Sequence, residues 1–410
     1  MSKTKGNIYY NVARTLMALL LLAGGLTGGG LLVSCRDGDY IIYPEDESPD
    51  TNAPRTSIVG MYLLNEGNMG SNKCTIDYLD LSADDGKVHY LRNIYPSRNP
   101  SAVRELGDVG NDVKIYGQRM WIVVNCSNKV EVVTASDCRR IGQVDIPNCR
   151  NVVFDGGYAY VSSFAGPVDA GAGAQLGRIY KVDTLSMKIV GDVTVGYQPE
   201  EMAIVGSKMY VANSGGYLSP AYDFRLSVID LPSFSEQGKV MLAKNLHRCR
   251  ADKYGQLWVT SRGNYMDIAP RIFCLTTDAS GNITAKDSLN ITVSDLSIVG
   301  DSLYFYGSQW KKETHSSTFT YGIIDIRTHK LLETKLFDAP EIAEIKMPYG
   351  IMVNPIGKDF YLMDAKNYVS SGELLHFLPD GTFDWKVKTG DIPGHAAFLY
   401  RKNATGNKGG

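Results

Sequence analysis

One pattern of apolar and polar positions recurs seven times along the chain: a Gly, a short spacer, an aromatic, then strand-forming residues that end in small polar ones. The aromatics are Tyr62, Trp121, Tyr160, Tyr210, Trp258, Tyr304 and Tyr361, and they lie 59, 39, 50, 48, 46 and 57 residues apart. Strand-built repeats of this period predict a β-propeller. Each unit resolves into four strand-like runs by alternation and turn signals. In the fourth unit these are 200–206 as the inner strand, then 208–214, 226–231, and 239–246 as the outer edge. The third runs of the other units start near 76, 130, 179, 272, 321 and 374, and several end in Asp (Asp80, Asp183, Asp230, Asp325). Asp in that place opens a turn by bonding backbone two residues on, so the series is not read as a metal site.

The chain ends are out of register with these units. The first unit begins near Ile58 at its second strand and lacks an inner one, while 395–400 (HAAFLY) is an inner strand without partners after it. Together the ends complete one blade. The expected fold is therefore all-β: a seven-bladed propeller with four-stranded blades, closed by the C-terminal strand joining the first blade, with no open radial edge.

A length of 410 residues would otherwise suggest two or three domains, but the repeat assigns one ring to 58–402. Residues 403–410 are expected to be a disordered tail. Residues 1–34 have the layout of a lipoprotein signal peptide: Lys3, Lys5 and Arg14, an apolar core at Leu16–Leu22, then Leu32-Val33-Ser34-Cys35. That last tetrad is a lipobox, which predicts lipidation of Cys35. Residues 35–57 are acidic, carry Pro and are poor in aliphatics, as in a flexible tether.

A hydrophobic content of 44 % allows a large core. The net charge of −2 with no basic run in the body argues against nucleic acid. Six cysteines follow Cys35; Cys126 and Cys149, both expected on upper loops of neighbouring blades, are the plausible pair if one disulfide forms, with buried or unpaired thiols at least as good a reading.

The loops after the second strands and the loops between blades reach one face. The first set reads NEGNMG (65–70), NCSN (125–128), SSFAG (162–166), NSGGY (213–217), SRGNY (261–265), GSQW (307–310) and DAKNY (364–368). Amides supply donor and acceptor together, and aromatics give rigid apolar area at low entropic cost. The candidate ligand-binding residues are Asn65, Asn68, Arg98, Asn125, Arg150, Phe164, Tyr197, Asn213, Tyr217, Arg262, Tyr265, Trp310, Tyr349 and Tyr368. They suit a large, mostly neutral ligand with amide or hydroxyl edges. No GxSxG, HExxH, Walker A or dinucleotide fingerprint is present, and no enzymatic activity, cofactor or metal is expected. The one acid/base set to weigh is His247, His395, Glu200 and Arg248, similar to those of propeller lactonases or lyases.

With its lipobox, acidic tether and seven units, the chain resembles Bacteroidetes surface lipoproteins of the YncE-like seven-bladed type. The stretch 61–81 carries most of the likeness, and Asp37 and Asp39 resemble part of the export signal of such proteins. Within that group the chain is most similar to the BtuG-type cobalamin-binding propellers. The resemblance implies a lipid-anchored outer-membrane protein facing the cell exterior that captures a corrinoid (vitamin B12), as ligand and not cofactor, and hands it to a BtuB-type TonB-dependent transporter. The corrin amides would meet Asn and Ser, its phosphate an Arg, and its apolar ring the aromatics. The alternatives are another cargo, such as a glycan or protein partner, or a lactonase or lyase.

Overall fold

The computed structural model describes residues 46–54, 56–168, 173–311 and 315–401. The signal peptide, Cys35, the first part of the tether and the tail from 403 lie outside the described residues.

Seven four-stranded antiparallel sheets make up the ring. Blade 1 has the strand order Pro393–Tyr400, Ile58–Asn65, Thr75–Asp80, His89–Leu91, from the inside outward. Blades 2 to 7 begin with inner strands Gly110–Tyr116, Cys149–Asp155, Pro199–Val205, Leu246–Ala251, Asp295–Val299 and Pro348–Val353. The C-terminal strand pairs with the first one in the register Met61↔Phe398, Tyr62↔Ala397, Leu63↔Ala396 and Leu64↔His395, so the ring closes as the unmatched ends predict.

The repeat works through side-chain alternation. Each blade packs both faces against neighbours, so successive residues of a strand point into different interfaces. Met120, Ile122 and Val124 join blade 1 residues, while Trp121 and Val123 join blade 3 residues. Second strands are consequently buried along their length, as in Leu257–Ser261, where an apolar run ends in small polar residues. Seven hydrophobic clusters result, one in each interface between adjacent blades. Burying each such side chain stabilises by about 1.5–3 kcal/mol. The repeat aromatics span these interfaces: Tyr62 donates from Oη to the Ala135 carbonyl of blade 2 at 2.8 Å, and Tyr210 donates to the Gly281 carbonyl of blade 5.

The strand-terminal aspartates behave as turn openers. Asp80 accepts from the Ser82 N–H, Asp183 from Ser186, Asp230 from Ser233, and Asp325 from Arg327 and Thr328. One boundary is corrected. The outer strand of blade 4 is Ser235–Met241, and Leu246 opens the inner strand of blade 5. The apolar content of 239–246 suggested one strand; instead Met241 is exposed on the outer edge and Leu246 is fully buried near the axis.

A strap at 46–54 crosses the seam between blades 1 and 7. Glu47 pairs with Tyr90 of blade 1, and Thr51 Oγ1 and the Asn52 N–H donate to Asp384 of blade 7. Asp384 also holds His376 Nδ1 at 3.1 Å, and Asp359 holds its Nε2 at 3.0 Å. Burial pushes the Asp384 carboxyl up, but His376 and the strap outweigh it and leave it at about 2. The segment 46–54 is thus part of the closed ring, not free tether.

Candidate functional site

Strand direction defines the upper face: second strands end there, so the loops to the third strands and the inter-blade connections both emerge on it. The exposed apolar side chains of the second-to-third loops gather on this face. Tyr217 is 51 % exposed, Tyr265 68 %, Trp310 60 % and Tyr368 38 %, and Met69, Met266 and Val369 are exposed beside them. The exposed aromatic tips occupy four consecutive blades, 4 to 7, while Phe164, in the corresponding loop of blade 3, is buried. Blade 6 lifts Trp310 by extending its hairpin: Ser302–Lys311 and Ser316–Asp325 pair residue by residue, with Trp310 opposite Ser317.

Beneath the rim, the inner strands and neighbouring loop ends present charge. Arg150 donates through Nε and Nη2 to Glu200 Oε2 at 3.2 and 3.1 Å, and through Nη1 to Asn111 Oδ1 at 3.0 Å. Its guanidinium lies 4.9 Å from the Phe164 ring centre, and Phe164 meets Tyr217 edge to face at 6.4 Å, so rim and funnel are continuous. Arg262 Nη2 lies 2.8 Å from His247 Nε2. Burial first, and then Arg262 and Arg248, hold the His247 imidazolium well below its ordinary range, so the ring is neutral and accepts at Nε2. Across the axis, Tyr349 Oη donates to Glu66 Oε2 at 2.9 Å, and His395 Nε2 lies 3.3 Å from Glu66 Oε1. Burial and Glu66 keep the Tyr349 phenol far above its usual value, as a permanent donor.

A second charged group lines the inner strands of blades 4 to 6. Glu201 Oε1 takes Arg248 Nη1 at 2.8 Å and Arg250 Nη2 at 3.0 Å, and Asp295 Oδ1 takes Arg250 Nη2 at 2.8 Å. Two cations meet two carboxylates there. Burial pushes the Glu201 carboxyl up, yet Arg250 and Arg248 outweigh it and hold it well below the usual range.

No family of known proteins matches the sequence, and no curated protein does either. Solved structures do match in shape. A hypothetical selenium-binding protein from Sulfolobus tokodaii aligns with a TM-score of 0.59 and 12 % identity, over 85 % of this chain and 94 % of that one. A quinonprotein alcohol dehydrogenase-like protein from Bacteroides thetaiotaomicron aligns with a TM-score of 0.55 and 11 % identity, over 85 % and 79 %. At such identity the likeness establishes the propeller fold alone.

The face separates the predicted residues into three groups. Arg150, Phe164, Tyr217, Arg262, Tyr265, Trp310, Tyr349 and Tyr368 belong to the rim or funnel, with Tyr349 and Tyr368 in edge contact at 5.6 Å. Asn68 and Tyr197 are half-buried on upper loops. Asn65, Asn125 and Asn213 are built into the blades. Asn65 Nδ2 donates to Thr75 Oγ1 and Asp77 Oδ2, Asn125 Nδ2 to the Cys149 carbonyl, and Asn213 Nδ2 to the Arg225 carbonyl while its Oδ1 accepts from the Gly196 N–H. An Asn at the end of a second strand closes the turn above it, which uses the groups a ligand would need.

Arg98 is carried to the opposite face. It ends a short helix, Ile94–Arg98, and the next residue, Asn99, donates to the Cys138 carbonyl and accepts from the Arg140 N–H at the lower turn of blade 2. The Cys126–Cys149 pairing does not form. Both thiols are free: Cys149 turns into the core, where burial pushes it up to about 12, and Cys126 points to Asn125 Oδ1 at 3.4 Å.

Glu66, Asn111, Glu201, Arg250 and Asp295 were absent from the candidates. For Glu201, Arg250 and Asp295 the signal was positional, charge on an inner strand where no solvent-facing edge excuses it; Asn111 is an uncharged inner-strand amide and Glu66 sits on the loop after the second strand of blade 1. Arg248-Cys249-Arg250 even shows the period of two. His247 and His395, weighed together, sit with different partners on opposite sides of the axis. Among the described residues no cluster of three or more His, Cys, Asp or Glu could hold a metal.

Proposed function

We propose that the protein is a binding module that captures a large, mostly neutral ligand on its upper face, and that this ligand is a corrinoid passed on to a TonB-dependent transporter. The observation that supports this reading is the rim: four exposed aromatics on consecutive blades over a funnel whose charges are largely paired. Water-exposed aromatics gathered on one face are costly unless they bind something. A corrin ring would lie on these aromatics with its amide edge over the hydrogen-bonding lip. In the same reading Cys35 anchors the protein to the outer membrane, facing the cell exterior, and Cys35→Ala should move it from the membrane to the soluble fraction; unchanged retention would overturn the anchor.

Titration of the purified protein with cyanocobalamin is the direct test, with stoichiometric binding expected. The combined change of Tyr217, Tyr265 and Trp310 to Ala should weaken that binding by at least about 100-fold, at roughly 1–3 kcal/mol per lost stacking platform in the related case of nucleobases. The melting temperature should move by only a few degrees, since these side chains are largely outside the core. No binding by the unaltered protein at micromolar concentration refutes the corrinoid; unchanged affinity with a large loss of stability returns the aromatics to a structural role.

A further inference from the structure

One cation at the lip of the funnel shares its carboxylate with a second arginine. Glu200 is engaged by Arg150, and Arg262 Nη1 reaches the same carboxylate only at 3.7 Å, beyond hydrogen-bond distance. The hydrogen-bond partner of the Arg262 side chain among the described residues is His247, a neutral acceptor. Two guanidinium groups thus share the Glu200 carboxylate, and Arg150 alone has its hydrogen bonds. The deeper group of Arg248, Arg250, Glu201 and Asp295 is balanced. Glu66 lies within electrostatic reach of Arg150 and has Tyr349 and His395 on its two oxygens.

The shared edge is also open. The Arg262 side chain is 35 % exposed, and its Nε and Nη1 have no hydrogen-bond partner among the described residues. Because His247 accepts at Nε2, its proton is on Nδ1, which likewise has no partner there. Guanidinium and imidazole N–H donors thus stand side by side, on the wall whose Glu200 also holds Arg150. A planar fork of donors next to a neutral N–H is suited to an anionic oxygen pair.

We propose that the Arg262–His247 edge of the funnel seats a monoanionic group of the bound ligand, a carboxylate or a phosphodiester. The inference rests on the reading that the rim binds a ligand, but its chemistry does not depend on that ligand being a corrinoid. A charge-assisted hydrogen bond of this kind is worth about 10- to 100-fold in affinity.

The test compares the unaltered protein with Arg262→Gln and Arg262→Lys, after thermal melts confirm that each variant is folded. Cyanocobalamin carries a phosphodiester arm, and dicyanocobinamide has the corrin ring without it. Arg262→Gln should weaken cyanocobalamin by about 10- to 100-fold and leave dicyanocobinamide within about twofold, with Arg262→Lys in between. In parallel, inorganic phosphate should shift the His247 ring resonances in NMR spectra, assigned through His247→Gln, in the unaltered protein and not in Arg262→Gln. Equal weakening of both corrinoids overturns the proposal, as does phosphate that leaves His247 unmoved. If neither corrinoid binds and phosphate still shifts His247 through Arg262, the anion seat stands and the corrinoid reading falls.

Discussion

Removal of residues 393–410 should abolish cooperative folding, although it takes away one of the twenty-eight strands among the described residues. Pro393–Tyr400 is the inner strand of blade 1, and it alone covers the inner edge of Ile58–Asn65. Its loss uncovers that ladder and opens two interfaces together, since Ala397 packs in the cluster shared with blade 2 while Ala396 and Phe398 pack against blade 7. Domains are stable by only about 5–15 kcal/mol, and a ring that cannot close forfeits packing at both sides of the gap. The expected observation is loss of the near-ultraviolet circular dichroism and of the calorimetric transition. The cause is topological, so the strand should work from the other end. The Arg401 N–H donates to the Ser57 carbonyl at 2.8 Å, which places the end of the closing strand beside the start of its partner. Grafting 393–401 ahead of Ser57 through a two-residue turn should restore folding. A truncated chain that melts cooperatively near the original temperature would show that the seam is dispensable.

Glu201→Ala should cost about 3–5 kcal/mol, as expected when one member of a buried ion-pair group is removed. Glu200 and Glu201 sit at the register shift of the inner strand and pair in different directions, Glu200 with Arg150 of blade 3 and Glu201 with Arg248 and Arg250 of blade 5. Without Glu201, two guanidinium groups in the funnel wall share Asp295 alone, and the Cys249 N–H loses its acceptor at 3.2 Å. The sign with pH follows from the depressed carboxyl. A group whose folded pKa lies below its unfolded value stabilises fully above the unfolded value, near 4.3 for Glu, and its contribution fades as pH falls toward the folded one. The gap between the unaltered protein and Glu201→Gln should therefore be widest at neutral pH and narrow below about pH 4. Denaturant titrations at pH 7 and pH 3 measure it; an equal gap at both would remove the carboxylate charge as its cause.

The seven blades were legible because every interface repeats one physical demand: a second strand packed on both sides must be largely apolar, with a large aromatic to bridge the gap. That demand leaves its mark at Tyr62, Trp121 and their five counterparts. The unmatched ends likewise announced the closing strand, because an edge left unpaired inside a ring has no other remedy. Exposed tips were legible where an aromatic stood past the last strand residue, as at Tyr217 and Tyr265.

The asparagines misled for a reason contained in the same local logic. An amide at the end of a strand can serve a ligand or the turn above it, and local sequence is the same in both cases. Only the neighbouring strand decides, and for Asn65, Asn125 and Asn213 it supplies the partners. Arg98 misled because a connection of 18 residues, from 92 to 109, has room to descend to the lower face before returning. The funnel chemistry was the least visible part. Arg150 meets Glu200 fifty residues on, Glu201 meets Arg248 and Arg250, and Tyr349 meets Glu66 across the seam. Periodicity reports which way a strand faces its own neighbours, so it carries the ring. Charge pairing between neighbouring inner strands depends on how those separate strands converge around the axis, and that convergence exists only once the ring has closed.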